Sequence, residues 1–145
     1  MQTAVQVAPN TIATKAGVSR SAFISGWLVS GFASAFMLMD GTMKLFRPAV
    51  VIEGTVKLGY PTSAIVPLGI VVLICTLLYL VPRTAVLGAI LLTGYLGGAV
   101  ATHVRVGDPL FSHVLFPTYL GAMFWLGLYL RDARLRALVP FRTVA

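Results

Sequence analysis

Charge is scarce in this chain, and negative charge scarcer: 10% of its 145 residues are charged, and Asp and Glu number 4 against 11 Lys and Arg. Soluble globular domains carry about a quarter charged residues, so a fold bathed in water on all sides is excluded. Cysteine is rarer still. Cys75 stands alone, which excludes an internal disulfide and a two-thiol relay within the chain; amid an apolar run it reads as a small packed hydrophobe. No glycine-rich phosphate loop, nucleophile elbow, haem-attachment motif or paired-thiol motif occurs. The only two histidines, His103 and His113, lack metal-ligand spacing, and no metal site is expected. The net charge of +7 falls between apolar runs and at the C-terminus. Without a basic, aromatic-interleaved polar face, it argues against nucleic acid as a partner.

What fills the chain is apolar: 58% of residues are hydrophobic and mean hydropathy is +0.91. Four uncharged or nearly uncharged runs are each long enough to cross the ~30 Å of hydrocarbon in a bilayer. In lipid every backbone amide must be satisfied within its own segment, so each run is expected to be helical. The fold expected is all-α: a four-transmembrane-helix antiparallel bundle over 22–130, with helices at about 22–46, 61–81, 84–104 and 109–130. The first run and the tail before it are too long for a cleaved signal peptide. Residues 1–21 read as a flexible cytoplasmic tail and 131–145 as a basic cytoplasmic tail whose Leu135, Leu138 and Val139 contact anionic lipid. The loop 49–60 carries Val50, Val51, Ile52, Val56 and Leu58, too apolar for plain solvent. A short extracytoplasmic helix or re-entrant loop over the bundle's mouth is expected between helices 1 and 2.

Boundary residues support this division. Arg47-Pro48 closes the first helix, Pro61 opens the second and Pro82 stops it, Thr84 caps the third, and Asp108-Pro109 reads as N-cap and first turn of the fourth. Pro67 and Pro117 are expected to bend their helices. Small residues recur at one-turn spacing, as Ala22, Gly26, Ser30 and Ser34 and as Gly94 and Gly98, and predict close helix packing, including a possible homodimer face. Lys15, Arg20, Arg83, Arg131, Arg134, Arg136 and Arg142 fall on one side of the bundle, and the smaller set Lys44, Arg47, Lys57 and Arg105 on the other. The larger set stays inside, placing both termini in the cytoplasm.

Three of the acidic residues, Asp40, Glu53 and Asp108, fall with His103, His113 and the smaller basic set on the outer side. Such near-balance favours a paired cluster over a basic surface. Asp40 and Lys44 are one helical turn apart and can pair; near the membrane boundary they should point inward. The plain reading of that pair is an ion pair holding the helix end, and the sharper one is a proton-handling or anion-binding pair at the edge of a pocket. His103, Arg105 and Asp108 occupy the turn between helices 3 and 4, with His113 one turn into helix 4. As neutral hydrogen-bonding groups, the histidines with Tyr60 and Tyr95 can hold the carbonyl head of a lipid-soluble quinone. The pocket residues to follow are therefore Asp40, Lys44, Glu53, Tyr60, Tyr95, His103, Arg105, Asp108 and His113.

The stretches Asp40-Gly41-Thr42-Met43-Lys44-Leu45-Phe46, Leu58-Gly59-Tyr60-Pro61, Pro82-Arg83-Thr84-Ala85, Thr93-Gly94-Tyr95-Leu96-Gly97-Gly98 and His103-Val104-Arg105-Val106-Gly107-Asp108-Pro109, in this order and spacing, resemble the DoxX-like family. The resemblance implies a four-helix protein of a bacterial cytoplasmic (inner) membrane. Some relatives are subunits of quinone-linked sulfur oxidation or of other membrane-bound oxidoreductase assemblies. It implies a redox-associated subunit that binds quinone or another lipid-soluble molecule in an extracytoplasmic pocket and works with an oxidoreductase partner. No intrinsic cofactor is expected. The missing cysteine pair sets this chain apart from thiol-redox relatives. Two other readings stand beside it: a non-enzymatic scaffold or assembly factor, and a lipid-modifying enzyme using the outer carboxylates as general acids. Whether the chain is itself catalytic stays open.

Overall fold

The computed structural model describes residues 18–138. Lys15, Arg142 and Val139, with most of the expected N-terminal tail and the end of the C-terminal one, lie outside the described residues. The chain forms α1 (Arg20–Phe46), α2 (Ala49–Lys57), α3 (Ile65–Leu80), α4 (Ala85–Val106), α5 (Phe116–Arg131) and α6 (Ala133–Arg136), with no strand among the described residues. A 3-10 turn at Thr62–Ala64 leads into α3, and a π-wound turn at Leu110–Val114 leads into α5. With these lead-ins, 4 helices are long and apolar enough to cross a membrane: Arg20–Phe46, Thr62–Leu80, Ala85–Val106 and Leu110–Arg131.

Neighbouring helices are antiparallel and close into a ring: α1 packs on α3 and α5, and α4 packs on the same two from the far side. The belt around this ring is apolar and exposed, with Leu28, Phe32, Ile74, Leu77, Ile90 and Leu126 all facing outward. Patches of that extent are costly against water and cost nothing against acyl chains. The interior is mixed. Tyr79 is wholly buried, donates to the Phe124 carbonyl at 2.8 Å and sets its ring edge-on to Phe124 at 4.7 Å. With that proton committed, the 2.7 Å contact to Ser30 has Ser30 Oγ as donor. One buried triad thus ties α1, α3 and α5 together.

The small-residue stripe on α1 does bring backbones together. A Cβ at Gly26 would lie 2.8 Å from the Gly127 carbonyl oxygen, and one at Gly127 would lie 2.3 Å from Ser30 Oγ. The stripe on α4 does the opposite: Gly94 and Gly98 have nothing within 4 Å of an added Cβ. They do not mark a packed interface; they leave open space, described below.

Helix ends explain several departures from the expected boundaries. Arg47 takes a left-handed conformation, φ 53°, with its N–H on the Met43 carbonyl, and closes α1 before Pro48. Thr84 holds the N-cap position of α4, its carbonyl accepting from Gly88 N–H at 2.9 Å, but its side chain makes no cap bond; the hydroxyl donates back to the Leu78 carbonyl at 2.7 Å, satisfying an orphan acceptor at the end of α3. Pro67 sits in the first turn of α3, where a missing N–H costs nothing, and the helix runs on unbroken to Leu80. Pro117 also falls in a first turn. Its effect is felt upstream, where Leu115 N–H reaches back to the Leu110 carbonyl at 2.8 Å in a widened turn. At the same end as the Tyr79 triad, the Arg131 guanidinium stacks 4.2 Å above the Trp27 ring and donates to the Tyr79 carbonyl at 3.2 Å. Arg136 donates to the carbonyls of Tyr129 and Leu130, both at 2.7 Å. Leu135 is buried in the core. Leu135 is therefore a core residue and not a lipid contact, whereas Leu138 is exposed, and Arg131 and Arg136 turn to backbone carbonyls at this end of the bundle.

Candidate functional site

At the other end of the ring, α1 ends with Asp40 and Lys44 one turn apart, and the two form an ion pair. Their side chains are 34% and 17% exposed, so the pair sits at the edge of the bundle's interior. α2 lies across this end as the apolar loop predicts, resolved as a helix, and contributes Thr55 and Leu58 to what lies beneath. The turn after it passes through Gly59 at φ +80°, which delivers Tyr60 to the wall of α4. There the Tyr60 hydroxyl is 2.8 Å from Thr102 Oγ1. Thr102 donates its own proton to the Gly98 carbonyl at 2.9 Å; Tyr60 is therefore the donor in the contact between them.

α4 stops at Gly107, φ +73°. The N–H of Gly107 reaches the Val104 carbonyl at 3.1 Å and that of Asp108 reaches the His103 carbonyl at 3.1 Å, the paired closure of a Schellman turn. This reversal swings Asp108 back over its own helix, and its carboxylate meets His103 Nδ1 at 2.7 Å. Asp108 is thus not the N-cap of the following helix, a position Pro109 occupies without a side-chain bond. A glycine one residue earlier made the C-terminal closure of α4 the stronger local signal. The hydrogen bond with His103 holds the Asp108 carboxyl below the usual carboxylate range; desolvation opposes this, and the positive charge of His103, His113 and Lys57 reinforces it. An ionised Asp108 requires a proton on His103 Nδ1, so a neutral His103 keeps only a lone pair on Nε2.

Between these groups lies a cavity of about 450 Å³ lined by residues of α1, α2, α3, α4 and α5. Its polar edge is Asp40, Lys44, Thr55, Tyr60, Tyr95, Thr102 and His103; its body is apolar, with Phe36, Met37, Leu68, Leu96, Phe116 and Leu120. Gly94 and Gly98 form part of the wall, and their missing side chains are what leave it open. Of the residues singled out in the sequence, Asp40, Lys44, Tyr60, Tyr95 and His103 meet here. Asp108 stands one bond behind, on His103. Arg105 is turned away and donates to the Leu58 carbonyl, pinning the end of α2. His113 faces the His103 ring at 5.8 Å between centroids but bonds its neighbour Ser112 at 2.8 Å, outside the cavity lining. Glu53 lies exposed on α2, away from the cavity. Among the described residues no group of three or more His, Cys, Asp or Glu is placed to hold a metal ion.

Thr102 and Thr55 were not singled out from the sequence, and Gly94 and Gly98 were read there as packing residues and not as cavity wall. A signal existed on α4: Gly94, Gly98 and Thr102 recur every fourth residue, one face of a helix. A second, outward groove of about 340 Å³ between α4 and α5 is lined by small residues including Gly97, Gly121 and Ala122, with Trp125 Nε1 donating to Thr93 Oγ1 at 2.9 Å beside it.

The sequence model of the DoxX-like family matches residues 28–127. That range runs from the first turns of α1 to the Gly127 crossing in α5 and contains nearly the whole bundle, with every cavity-lining residue. Neither the curated proteins nor the solved structures include a match to the chain.

Proposed function

The chain belongs to the DoxX-like family, and on that premise we propose that it is a redox-associated membrane subunit that binds the head of a quinone or similar lipid-soluble molecule in the α1–α5 cavity. The observation that carries this reading is the cavity itself: about 450 Å³, apolar in its body and edged by Asp40–Lys44, Tyr60 and His103. Small-molecule sites are typically about 300–1,000 Å³, apolar, with a few converging polar groups. Ionisable residues this close to a bilayer interior are retained at a cost, which favours a working role over a passive one. An apolar tail fits the lipid-facing surface between helices, and a polar head fits the Asp40 and His103 edge. With one cysteine, the chain supplies no thiol pair, so electrons come from an oxidoreductase partner. Arg20, Arg83, Arg131, Arg134 and Arg136 fall at the opposite end, and the positive-inside tendency supports reading the cavity end as the extracytoplasmic one in a bacterial inner membrane.

The test is Gly98→Leu. Nothing lies within 4 Å of a Cβ at this position and Gly98 lines the cavity, so a larger side chain there starts from open space beside the ligand's expected place. Protein purified gently from its native membrane is expected to retain a stoichiometric lipid-soluble molecule by mass spectrometry, and G98L to lose it while keeping its melting temperature. Wild-type protein that retains none and binds no decyl-tailed quinone would refute the reading. A scaffold role draws support from the outward groove at Gly97, Gly121 and Ala122, where a partner helix could approach closely; co-purification of a partner lost in Gly121→Leu would favour it. General-acid chemistry by the carboxylates draws less support, since Asp40 is paired with Lys44 and Asp108 is held ionised.

A further inference from the structure

Four helix seams close the ring, and the glycines of three of them meet backbone across the seam. A Cβ at Gly127, on α5, would stand 3.0 Å from the Gly26 carbonyl oxygen of α1; one at Gly69, on α3, would stand 3.0 Å from the Gly41 carbonyl oxygen of α1; and one at Gly88, on α4, would stand 2.3 Å from the Tyr79 nitrogen of α3. At the α4–α5 seam the glycines meet no backbone. Gly94, Gly97 and Gly98 have nothing within 4 Å of an added Cβ, and the neighbour of one at Gly121 is a side-chain carbon, Leu96 Cδ1 at 3.7 Å. A leucine side chain moves by changing rotamer, whereas a backbone contact moves only with its helix.

That seam separates two voids, the inner cavity of about 450 Å³ and the outer groove of about 340 Å³. α4 turns a face to each: Tyr95, Gly98 and Thr102 line the cavity alone, and Thr93, Gly97 and Val100 the groove alone. Leu96 of α4 and Pro117 of α5 line both. Leu96 is 5% exposed, so the partition at the seam is a buried leucine side chain and a proline ring. The groove itself is mostly hydrocarbon. The Trp125 indole N–H is committed to Thr93 Oγ1 at 2.9 Å and the Thr93 proton to the Ala89 carbonyl at 2.8 Å; Thr118, the other polar residue of the lining, is exposed.

From this arrangement we infer that the α4–α5 seam is the lateral portal of the cavity, and that the groove outside it holds the hydrocarbon tail of the ligand whose head lies within. The inference rests on the cavity reading above and specifies its ligand as a compact head carrying a linear apolar tail. Such a molecule enters sideways from the bilayer as Leu96 swings aside, along a path that Gly94, Gly97 and Gly98 leave free of side chains. Its tail stays in the groove against Gly97 and Gly121, with Trp125 one turn beyond Gly121. The molecule then passes from lipid to binding site without crossing water, and the continuity of groove and cavity through Leu96 and Pro117 favours this occupant over a helix of another protein.

The experiment is calorimetric titration of the full chain in nanodiscs with two benzoquinones, one carrying a decyl tail and the other a methyl group in its place. Each probe is compared between wild type and variant in the same lipid, so its partition into the bilayer cancels. Gly97→Leu and, from the facing helix, Gly121→Leu put a side chain into the groove; neither residue lines the cavity. Both variants are expected to weaken the decyl probe at least about tenfold, about 1.4 kcal/mol, and to leave the methyl probe within about twofold of wild type. Gly98→Leu, inside the cavity, is expected to weaken both probes. Unchanged melting temperatures exclude misfolding as the cause, and if Gly121→Leu melts lower because its side chain presses on Leu96, Gly97→Leu decides. Decyl binding unchanged in the groove variants, or both probes weakened alike by them, overturns the inference and leaves the cavity reading intact. A co-purifying protein that Gly97→Leu releases, with decyl binding unchanged, gives the groove to a partner helix and overturns it too. Failure of both probes to bind the wild type overturns the inference and the cavity reading together.

Discussion

Replacing Gly127 with alanine adds one methyl group at the tightest point of the α1–α5 crossing. Its carbon would stand 2.3 Å from Ser30 Oγ and 3.0 Å from both the Gly26 carbonyl oxygen and the Ser30 nitrogen. The Ser30 hydroxyl can rotate away, but doing so removes the donor to the Tyr79 oxygen, a loss of about 0.5–1.5 kcal/mol. The two backbone contacts cannot rotate, so α1 and α5 must move apart, and overpacking of that kind costs roughly 1–3 kcal/mol. Alanine's better helix propensity returns about 0.5–1 kcal/mol. The net expectation is a destabilisation of about 0.5–4 kcal/mol. Gly31→Ala is the matched control, since nothing lies within 4 Å of a Cβ there, and it should be neutral or slightly stabilising. Unfolding by sodium dodecyl sulfate in mixed micelles, followed by tryptophan fluorescence, measures both. Gly127→Ala as stable as Gly31→Ala would show that the two helices are not in backbone contact.

Three further outcomes follow from the same geometry. Asp40→Asn should cost more stability than Asp40→Asn combined with Lys44→Met, because the single change leaves Lys44 unpaired at 17% exposure; additive costs in a double-mutant cycle would show that the pair is not coupled. Because the folded-state pKa of Asp108 is depressed, its contribution is present above the ordinary carboxylate pKa and lost as pH falls through the lowered value. Melting temperatures measured from pH 6 to pH 3 should therefore drop more steeply for the wild type than for Asp108→Asn, and parallel curves would contradict the His103–Asp108 bond. Tyr60→Phe should cost about 0.5–1.5 kcal/mol and leave the helical circular dichroism spectrum unchanged; no cost would mean that Tyr60 does not dock on Thr102.

The bundle was legible in the sequence because lipid leaves a long apolar run only one way to satisfy its backbone. The helix over the mouth was legible for a related reason: Val50, Val51, Ile52, Val56 and Leu58 are too apolar for an open loop. Asp40, Lys44, Tyr60, Tyr95 and His103 were found because polar residues are rare enough in this chain for their positions to stand out. What the sequence hid depended on distance or on ambiguity. The bond between Tyr60 and Thr102 spans 42 residues, and no local pattern announces it. Gly94 and Gly98 look the same on paper whether a glycine admits a neighbouring helix or leaves a void. Gly107-Asp108-Pro109 carries a helix-stop signal and a helix-start signal in three residues, and the stop prevailed because His103 lay within reach of the carboxylate. The basic stretch after Arg131 has the composition of a lipid-surface segment, yet Leu135 joins the core and Arg131 and Arg136 turn inward.

The central claim is that the cavity at the Asp40 and His103 end receives the head of a lipid-soluble ligand. Photolabelling in native-lipid nanodiscs with a decyl-tailed benzoquinone carrying an azide on its ring, followed by peptide mapping, tests it directly. The account predicts label on the 36–44 segment of α1 and the 94–103 segment of α4, displaced by unlabelled competitor and absent from Gly98→Leu. Label spread only over outward residues such as Leu28, Ile74 and Leu126, undiminished by competitor, would contradict it.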